Sequence, residues 1–179
     1  MTLRRRRTSG VRIVAEVPSF ESVAERHLDD VHAYLVYMTR DREIAEELTA
    51  DTFEKALRHW RRFDPRRGSA RTWLCQLART TALDHFRAEE RRRRREGAYA
   101  ADRSGQTEEG VFGGLSPELE RALASLSAGE REVIALRVLL DLDIETAARV
   151  LGVSPTACTT RLSRALKKLE ERMGEDVAA

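Results

Sequence analysis

Four carboxylates recur at helical spacing between Asp41 and Trp60: Glu43, Glu47, Asp51 and Glu54. At 100° per residue they line one side of a helix, while Ile44, Ala45, Leu48, Thr52, Phe53, Ala56 and Trp60 line the other. Such an acidic ridge is either ordinary solvated surface or a face that meets a basic partner. Leu57, at its rim and off the core stripe, adds an apolar contact to the second reading. From Arg58 to Arg71 follow six arginines and a single acid, Asp64, with Trp60, Phe63 and Trp73 among or just beyond them. Aromatic faces stack unpaired bases and guanidinium groups hold the backbone, so this mixture suits single-stranded or unstacked nucleic acid. The competing reading puts all three aromatics in a core, and at least two are expected there.

A third constellation runs from Ile144 to Arg164. Its spacing gives a short helix, a turn at Gly152-Val153, and a second helix opened by Ser154-Pro155, which is helix-turn-helix spacing. Glycine permits the left-handed residue of a tight turn, and Val153 can plug the angle between the helices. The second helix presents Thr156, Thr159, Thr160, Ser163 and Arg164 away from its core side. Hydroxyls and one arginine can read base edges, and Arg161, Lys167 and Lys168 can hold phosphates. A structural hairpin with a polar face is the alternative.

Other reactive residues lead nowhere. His27, His32, His59 and His85 lack metal-ligand spacing. Asp84, one turn from Thr80 and three residues from Arg87, reads as half of a surface ion pair. Cys75 and Cys158 stand apart inside helical patterns and read as small core residues in a reducing compartment. No enzyme site, metal or cofactor is expected. No apolar run approaches a membrane span, so a cytoplasmic protein without membrane insertion is expected.

The elements that must position these residues are helical throughout. Of 179 residues, 41% are hydrophobic, 35% charged and only 6% aromatic, a balance suited to small bundles with charged surfaces. The net charge of +2 excludes a strong overall field for nucleic acid, and the segment charges of +4, −2, +2 and −2 for residues 1–18, 19–90, 91–115 and 116–179 put any affinity into local patches. Residues 1–18, with Arg4 to Arg7, read as a disordered basic arm. Residues 19–95 form a first domain: a helix capped by Ser19 with Val23, His27, Leu28, Val31, Leu35 and Met38 inward, the helix capped by Asp41, and a third capped by Ser69 with Trp73, Leu74, Leu77, Ala78 and Thr81 inward. That third helix is prolonged by Glu89–Arg93 and Glu90–Arg94 pairs. Residues 96–115, with five of the ten glycines, read as a flexible linker reaching about 60 Å when extended. Residues 116–173 form the second domain. Ser116-Pro117 opens its first helix, a Ser127/Glu130 capping box opens a helix through Leu139, Asp143 caps the next, and the last buries Cys158, Leu162, Ala165, Leu166 and Leu169.

At this point a family resemblance emerges. Ala45-Glu-Glu-Leu-Thr-Ala-Asp-Thr-Phe53, then Thr72-Trp-Leu74, Leu77-Ala-Arg79 and Asp84-His-Phe-Arg87, resemble the core-binding and melting region of bacterial RNA polymerase sigma factors. Arg131-Glu-Val-Ile-Ala-Leu136 and Leu151-Gly-Val-Ser154 through Arg161-Leu-Ser-Arg-Ala165 resemble their promoter-reading fourth region. With two domains and a short linker, the chain is similar to the compact extracytoplasmic-function (ECF) group of the sigma-70 family. The resemblance implies a protein that binds core RNA polymerase and selects and helps melt a promoter. The acidic ridge with Leu57 would dock on the polymerase's clamp helices. Arg66, Arg67, Ser69, Trp73 and Thr80 would meet the minus-ten element, Thr80 standing where the family usually has Asn. Thr156, Thr159, Thr160, Arg161, Ser163 and Arg164 would meet the minus-thirty-five element. An anti-sigma factor is a further implied partner.

Two other readings compete. One is a stand-alone helix-turn-helix regulator that needs no polymerase for binding. The other is a helical interaction protein whose DNA-like surfaces are inert.

Overall fold

The computed structural model describes residues 18–95 and 115–177, all of them in helices and short connections. The basic arm and nearly all of the linker lie outside the described residues.

The first unit is three long helices. α1 (Phe20–Thr39) starts at Ser19, whose hydroxyl accepts from the Ser22 amide. It stops at Arg40, which takes the left-handed conformation at φ 57° and returns its amide to the Val36 carbonyl. Asp41 then caps α2 (Arg42–His59) by accepting from the Ile44 amide at 2.9 Å. A tight turn over Trp60–Arg62 swings the chain into the arginine loop, and Ser69 opens α3 (Ala70–Arg95), accepting from the Thr72 amide at 3.1 Å. Val31, Tyr34 and Leu35 from α1, Ala45, Leu48 and Ala56 from α2, and Leu74 and Ala78 from α3 share the interior. Each large aliphatic buried this way stabilises the fold by about 1.5–3 kcal/mol. The buried hydroxyls of Thr49 and Thr52 donate to the Ala45 and Leu48 carbonyls one turn back, so they enter the core satisfied.

The second unit is built from three short helices, α4 (Pro117–Ala124), α5 (Ala128–Ile134) and α6 (Ile144–Leu151), and the long α7 (Pro155–Val177). Helices of seven or eight residues cannot stand alone in water, so caps and neighbours must hold them. Ser116, Ser127 and Asp143 cap the first three, and the Ser154 hydroxyl accepts from the Ala157 amide at the start of the fourth. The Ser127/Glu130 capping box forms in both directions. Val133, Leu136, Ala147, Leu151, Cys158 and Ala165 fill the interior.

Four expectations need correction. The helix expected to continue through Leu139 loosens at Ala135–Leu139 into a wider π turn, closed by the Leu140 amide on the Ala135 carbonyl. Leu28 is 47% exposed and Leu166 is 46% exposed, although both were expected inward. Each sits at the rim of its helix's apolar stripe and lines an open groove. Glu90 pairs with Arg94 as expected, at 2.8 Å, whereas Glu89 meets Arg92 one position earlier than the expected Arg93.

The two units are packed on one another, with α3 against α6 and α1 against the π turn, so they are held in one register. Among the described residues, no helix is long and apolar enough to cross a membrane.

Candidate nucleic-acid interface

The arginine loop is ordered by its one acid. The Asp64 carboxylate accepts from the Arg66 amide at 3.0 Å, and the Asp64 carbonyl accepts from the Arg67 amide at 3.0 Å. This tight turn aims the Arg66 and Arg67 side chains into solvent. Behind it stand the three aromatics, all half-buried. Trp60 and Phe63 stack at 4.8 Å with their planes 10° apart, and Trp73 leans on both at 5.8 and 5.5 Å. Phe20 closes the cluster edge-on against Trp60 at 5.5 Å. The aromatics are therefore neither free platforms nor full core residues. They form a wall that is apolar behind and partly open in front.

That wall bounds a cavity of about 400 Å³, lined by Arg62, Phe63, Asp64, Arg67, Gly68, Ser69, Thr72, Trp73, Gln76 and Arg149. Of the residues expected at a minus-ten element, Arg67, Ser69 and Trp73 come together here. Arg66 and Thr80 do not line it, and the Thr80 hydroxyl is spent on the Gln76 carbonyl at 2.9 Å. Gln76 and Thr72 line it although sequence reasoning did not single them out. Gln76 lies one turn before Thr80 on the same helix, which was the signal available. The arrangement offers an aromatic wall, an amide with paired donor and acceptor, and guanidinium groups at the mouth, which are the groups that hold a base out of its stack.

On α7 the polar face expected from the sequence is open to solvent. Thr156, Thr159, Thr160, Ser163 and Arg164 are exposed. The Thr159 and Thr160 hydroxyls donate to the Pro155 and Thr156 carbonyls, so outward they offer oxygen lone pairs and methyl groups rather than protons. Arg161 behaves differently. It is half-buried, and its guanidinium lies over Gly129. Gly152 holds the turn between α6 and α7 in the left-handed conformation at φ 68°. A second concavity joins the starts of α5 and α7, lined by Ser127, Gly129, Ser154, Thr156, Thr160, Arg161 and Arg164 among others. The Glu130 carboxylate lines it too, and the Ser127/Glu130 capping box already occupies the first amides of α5.

On α2 the carboxylates of Glu43, Glu47, Asp51 and Glu54 are all exposed, and Leu57 is 58% exposed among them. Glu54 is engaged by Arg58 at 3.1 Å. Beside this ridge an apolar groove between α1 and α2 is lined by Ala24, Leu28, Ala50 and Phe53, with Glu46 at its edge. The sequence reading missed Leu28 as a surface group because it assigned it to the core.

Burial controls the cysteines. It pushes the Cys75 thiol up to about 11 and raises that of Cys158, so both remain protonated and unreactive at neutral pH. Among the described residues, no cluster of His, Cys, Asp and Glu could hold a metal ion.

Comparison with known proteins matches both units. The Sigma-70 region 2 family matches residues 23–92, and the Sigma-70, region 4 family matches residues 116–169. The chain is 30% identical over 162 residues to the RNA polymerase sigma factor CarQ of Myxococcus xanthus, covering 88% of this chain and 90% of CarQ. It is 29% identical over 165 residues to the ECF RNA polymerase sigma factor BldN of Streptomyces coelicolor, covering 90% of this chain and 62% of BldN. In structure it is similar to the sigma factor RpoE of Bartonella quintana, solved in complex with the anti-sigma factor NepR. The TM-score is 0.73 at 25% identity, over 87% of this chain and 96% of that one.

Proposed function

The chain belongs to the sigma-70 family of RNA polymerase sigma factors, in its ECF group, and directs promoter recognition by the polymerase; on that premise we propose how its surfaces divide the work. It is not an enzyme, and promoter opening comes from preferential binding to the opened strand. We assign docking on core polymerase to the exposed ridge Glu43, Glu47, Asp51 and Glu54 with Leu57. The cavity between the arginine loop and α3 takes an unstacked base of the minus-ten element. Arg67, Ser69, Thr72, Trp73 and Gln76 line it, while Arg66 and Thr80, assigned with Arg67, Ser69 and Trp73 to the minus-ten element from the sequence, meet that element outside the cavity. The exposed face of α7, with Thr156, Thr159, Thr160, Arg161, Ser163 and Arg164, takes the minus-thirty-five element.

The domain limits follow: 19–95 for polymerase and the minus-ten element, 116–173 for the minus-thirty-five element, with 96–115 as linker and 1–18 as a basic arm. The protein works in the cytoplasm. An anti-sigma factor is a further partner, and an apolar groove between α1 and the second unit, bordered by Tyr37, Leu123, Leu139 and Leu166, has the chemistry to take an apolar helix of it.

The observation that carries this reading is the aromatic-walled cavity beside the arginine loop on the same chain as a capped helix-turn-helix. Run-off transcription tests it. Purified core polymerase should initiate from specific start sites only when this protein is added. Footprinting of an operator by the protein alone, unchanged by core, would favour the stand-alone regulator instead.

A further inference from the structure

α3 runs on past the bundle it belongs to. Its last buried residue is Ala82, and of the nine residues from Arg87 to Arg95 all but Glu89 are exposed. That stretch carries six arginines, two glutamates and one alanine, a net charge of +4 with no apolar face to bury. A helix that is polar all round needs something other than packing to stay wound. Here Glu90 holds Arg94 at 2.8 Å and Glu89 faces Arg92 at 3.8 Å, both at helical spacing, and the arginines sit at the negative end of the helix. Charge therefore keeps about 13 Å of helix standing in solvent. The extension adds nothing to the core; what it presents is cations.

These cations share a face with the minus-ten cavity. At 100° per residue, Trp73, Gln76, Thr80, Arg87, Arg91 and Arg94 fall within an arc of about 60° on α3. Trp73 and Gln76 line the cavity, and Thr80 is exposed beyond it. Asp84 flanks the face and holds Arg87 at 3.2 Å, as Glu90 holds Arg94. Each paired guanidinium keeps further N–H donors for a second acceptor. Arg91 stands between them with no ion-pair partner among the described residues. Along the helix axis Arg87 lies about 17 Å and Arg94 about 27 Å from Gln76, the length of roughly five to eight base pairs. Order along the chain agrees with order along a promoter: the cavity comes first, then the arginines, then the helix-turn-helix unit. A row of guanidiniums at this pitch, on the face that holds an unstacked base, fits the phosphates of the duplex that follows that base. The region 2 match ends at residue 92, inside the arginine run.

We propose that Arg87, Arg91 and Arg94 form a phosphate-binding track that grips duplex DNA on the side of the minus-ten element facing the minus-thirty-five element. The track reads no bases. It holds the paired DNA at the edge of the melted segment while the cavity keeps the unstacked base. The inference rests on the minus-ten assignment made above.

The test uses holoenzyme, the full chain bound to core polymerase, and forked minus-ten oligonucleotides. Their upstream duplex is about 12 or about 3 base pairs long, enough to reach Arg94 or too short to do so. Unaltered holoenzyme should bind the long fork more tightly and with a steeper salt dependence. Arg91→Gln combined with Arg94→Gln should lower the salt slope on the long fork by about 2, one contact per arginine, and leave affinity for the short fork unchanged. Glutamine is as good a helix former as arginine, so helix content should hold. Arg92→Gln combined with Arg93→Gln is the control. It removes the same charge and also breaks one glutamate pair, but on the opposite side of α3, and it should keep the slope. A long fork bound no better than the short one overturns the proposal. So does a track variant that keeps the full slope, a loss equal on both forks, or a control as damaging as the track variant. A track variant that loses core polymerase rather than the long fork makes the arginines a protein contact and overturns it too. An unaltered holoenzyme with no affinity for either fork overturns instead the minus-ten assignment on which the proposal stands.

Discussion

The two units of this chain solve the same problem, presenting a nucleic-acid surface, with opposite materials. Every aromatic side chain among the described residues lies in the first unit, and residues 115–177 contain none. The first unit has long helices of 20, 18 and 26 residues and keeps its aromatic cluster at the end of the bundle, where a loop meets a wall. The second has three helices of seven or eight residues and one of 23, each opened by a Ser or Asp side chain, around an interior of aliphatics, alanines and a cysteine. A stacked aromatic wall suits a base taken out of the duplex. A rigid, capped helix with short hydroxyls and one long arginine suits base edges in an intact major groove. Composition thus separates melting from reading before any partner is considered.

The largest effect that can break this comparison is a cavity in one core at a time. Leu136→Ala and Leu74→Ala each remove a fully buried side chain and should cost about 2–5 kcal/mol. Trp60 and Trp73 both belong to the first unit, so tryptophan emission reports that unit alone while far-UV circular dichroism reports both. For Leu136→Ala, helix signal should be lost at lower denaturant than the tryptophan transition. For Leu74→Ala the tryptophan transition should move first. Coincident transitions in both variants would mean that the units fold as a single block, and that the closure between them is stronger than either core.

A smaller effect sharpens the contrast in capping. Ser127→Ala removes the acceptor for the Glu130 amide and should cost about 0.5–2 kcal/mol, read as an earlier loss of helix signal with the tryptophan transition unmoved. Acid acts on the same caps. The Ser127 amide donating to Glu130, and Thr146 donating to Asp143, hold both carboxyls below the usual carboxylate range. A depressed carboxyl contributes stability that is present above its unfolded pKa and lost as pH falls through its folded one. Helix signal from the second unit should therefore weaken as pH drops below about 4, and Glu130→Gln, which removes the titrating carboxyl, should shrink that pH dependence. An unchanged acid profile in Glu130→Gln would mean that the Glu130 carboxyl contributes nothing to the acid response.

Much of this was legible in the residues themselves. Ser19, Asp41, Ser69, Ser116, Ser127 and Asp143 announce helix starts because the orphan amides of a first turn need a short acceptor, a requirement local to four residues. The helix-turn-helix and its family blocks were legible for the same reason. What escaped was set by neighbours distant in sequence. Leu28 and Leu166 are apolar at the rims of their stripes, and only the placement of other helices decides whether a rim is covered. The π turn at Ala135–Leu139 interrupts a pattern that reads as unbroken helix. Gln76 looks like any polar helix residue until Arg149 is seen to close the cavity in front of it. The packing of the units on each other was likewise invisible, since Arg40, Arg71 and Arg79 carry no sign of which carbonyl or carboxylate they will find.

Docking on core polymerase is assigned to the acidic ridge of α2, and charge reversal there tests the assignment most directly. Glu43, Glu47 and Glu54 changed together to Lys sit on exposed surface, so helix content and thermal unfolding should stay as they are. Co-purification of this triple variant with core RNA polymerase should be lost. Co-purification at the unaltered level, with the fold intact, would contradict the assignment.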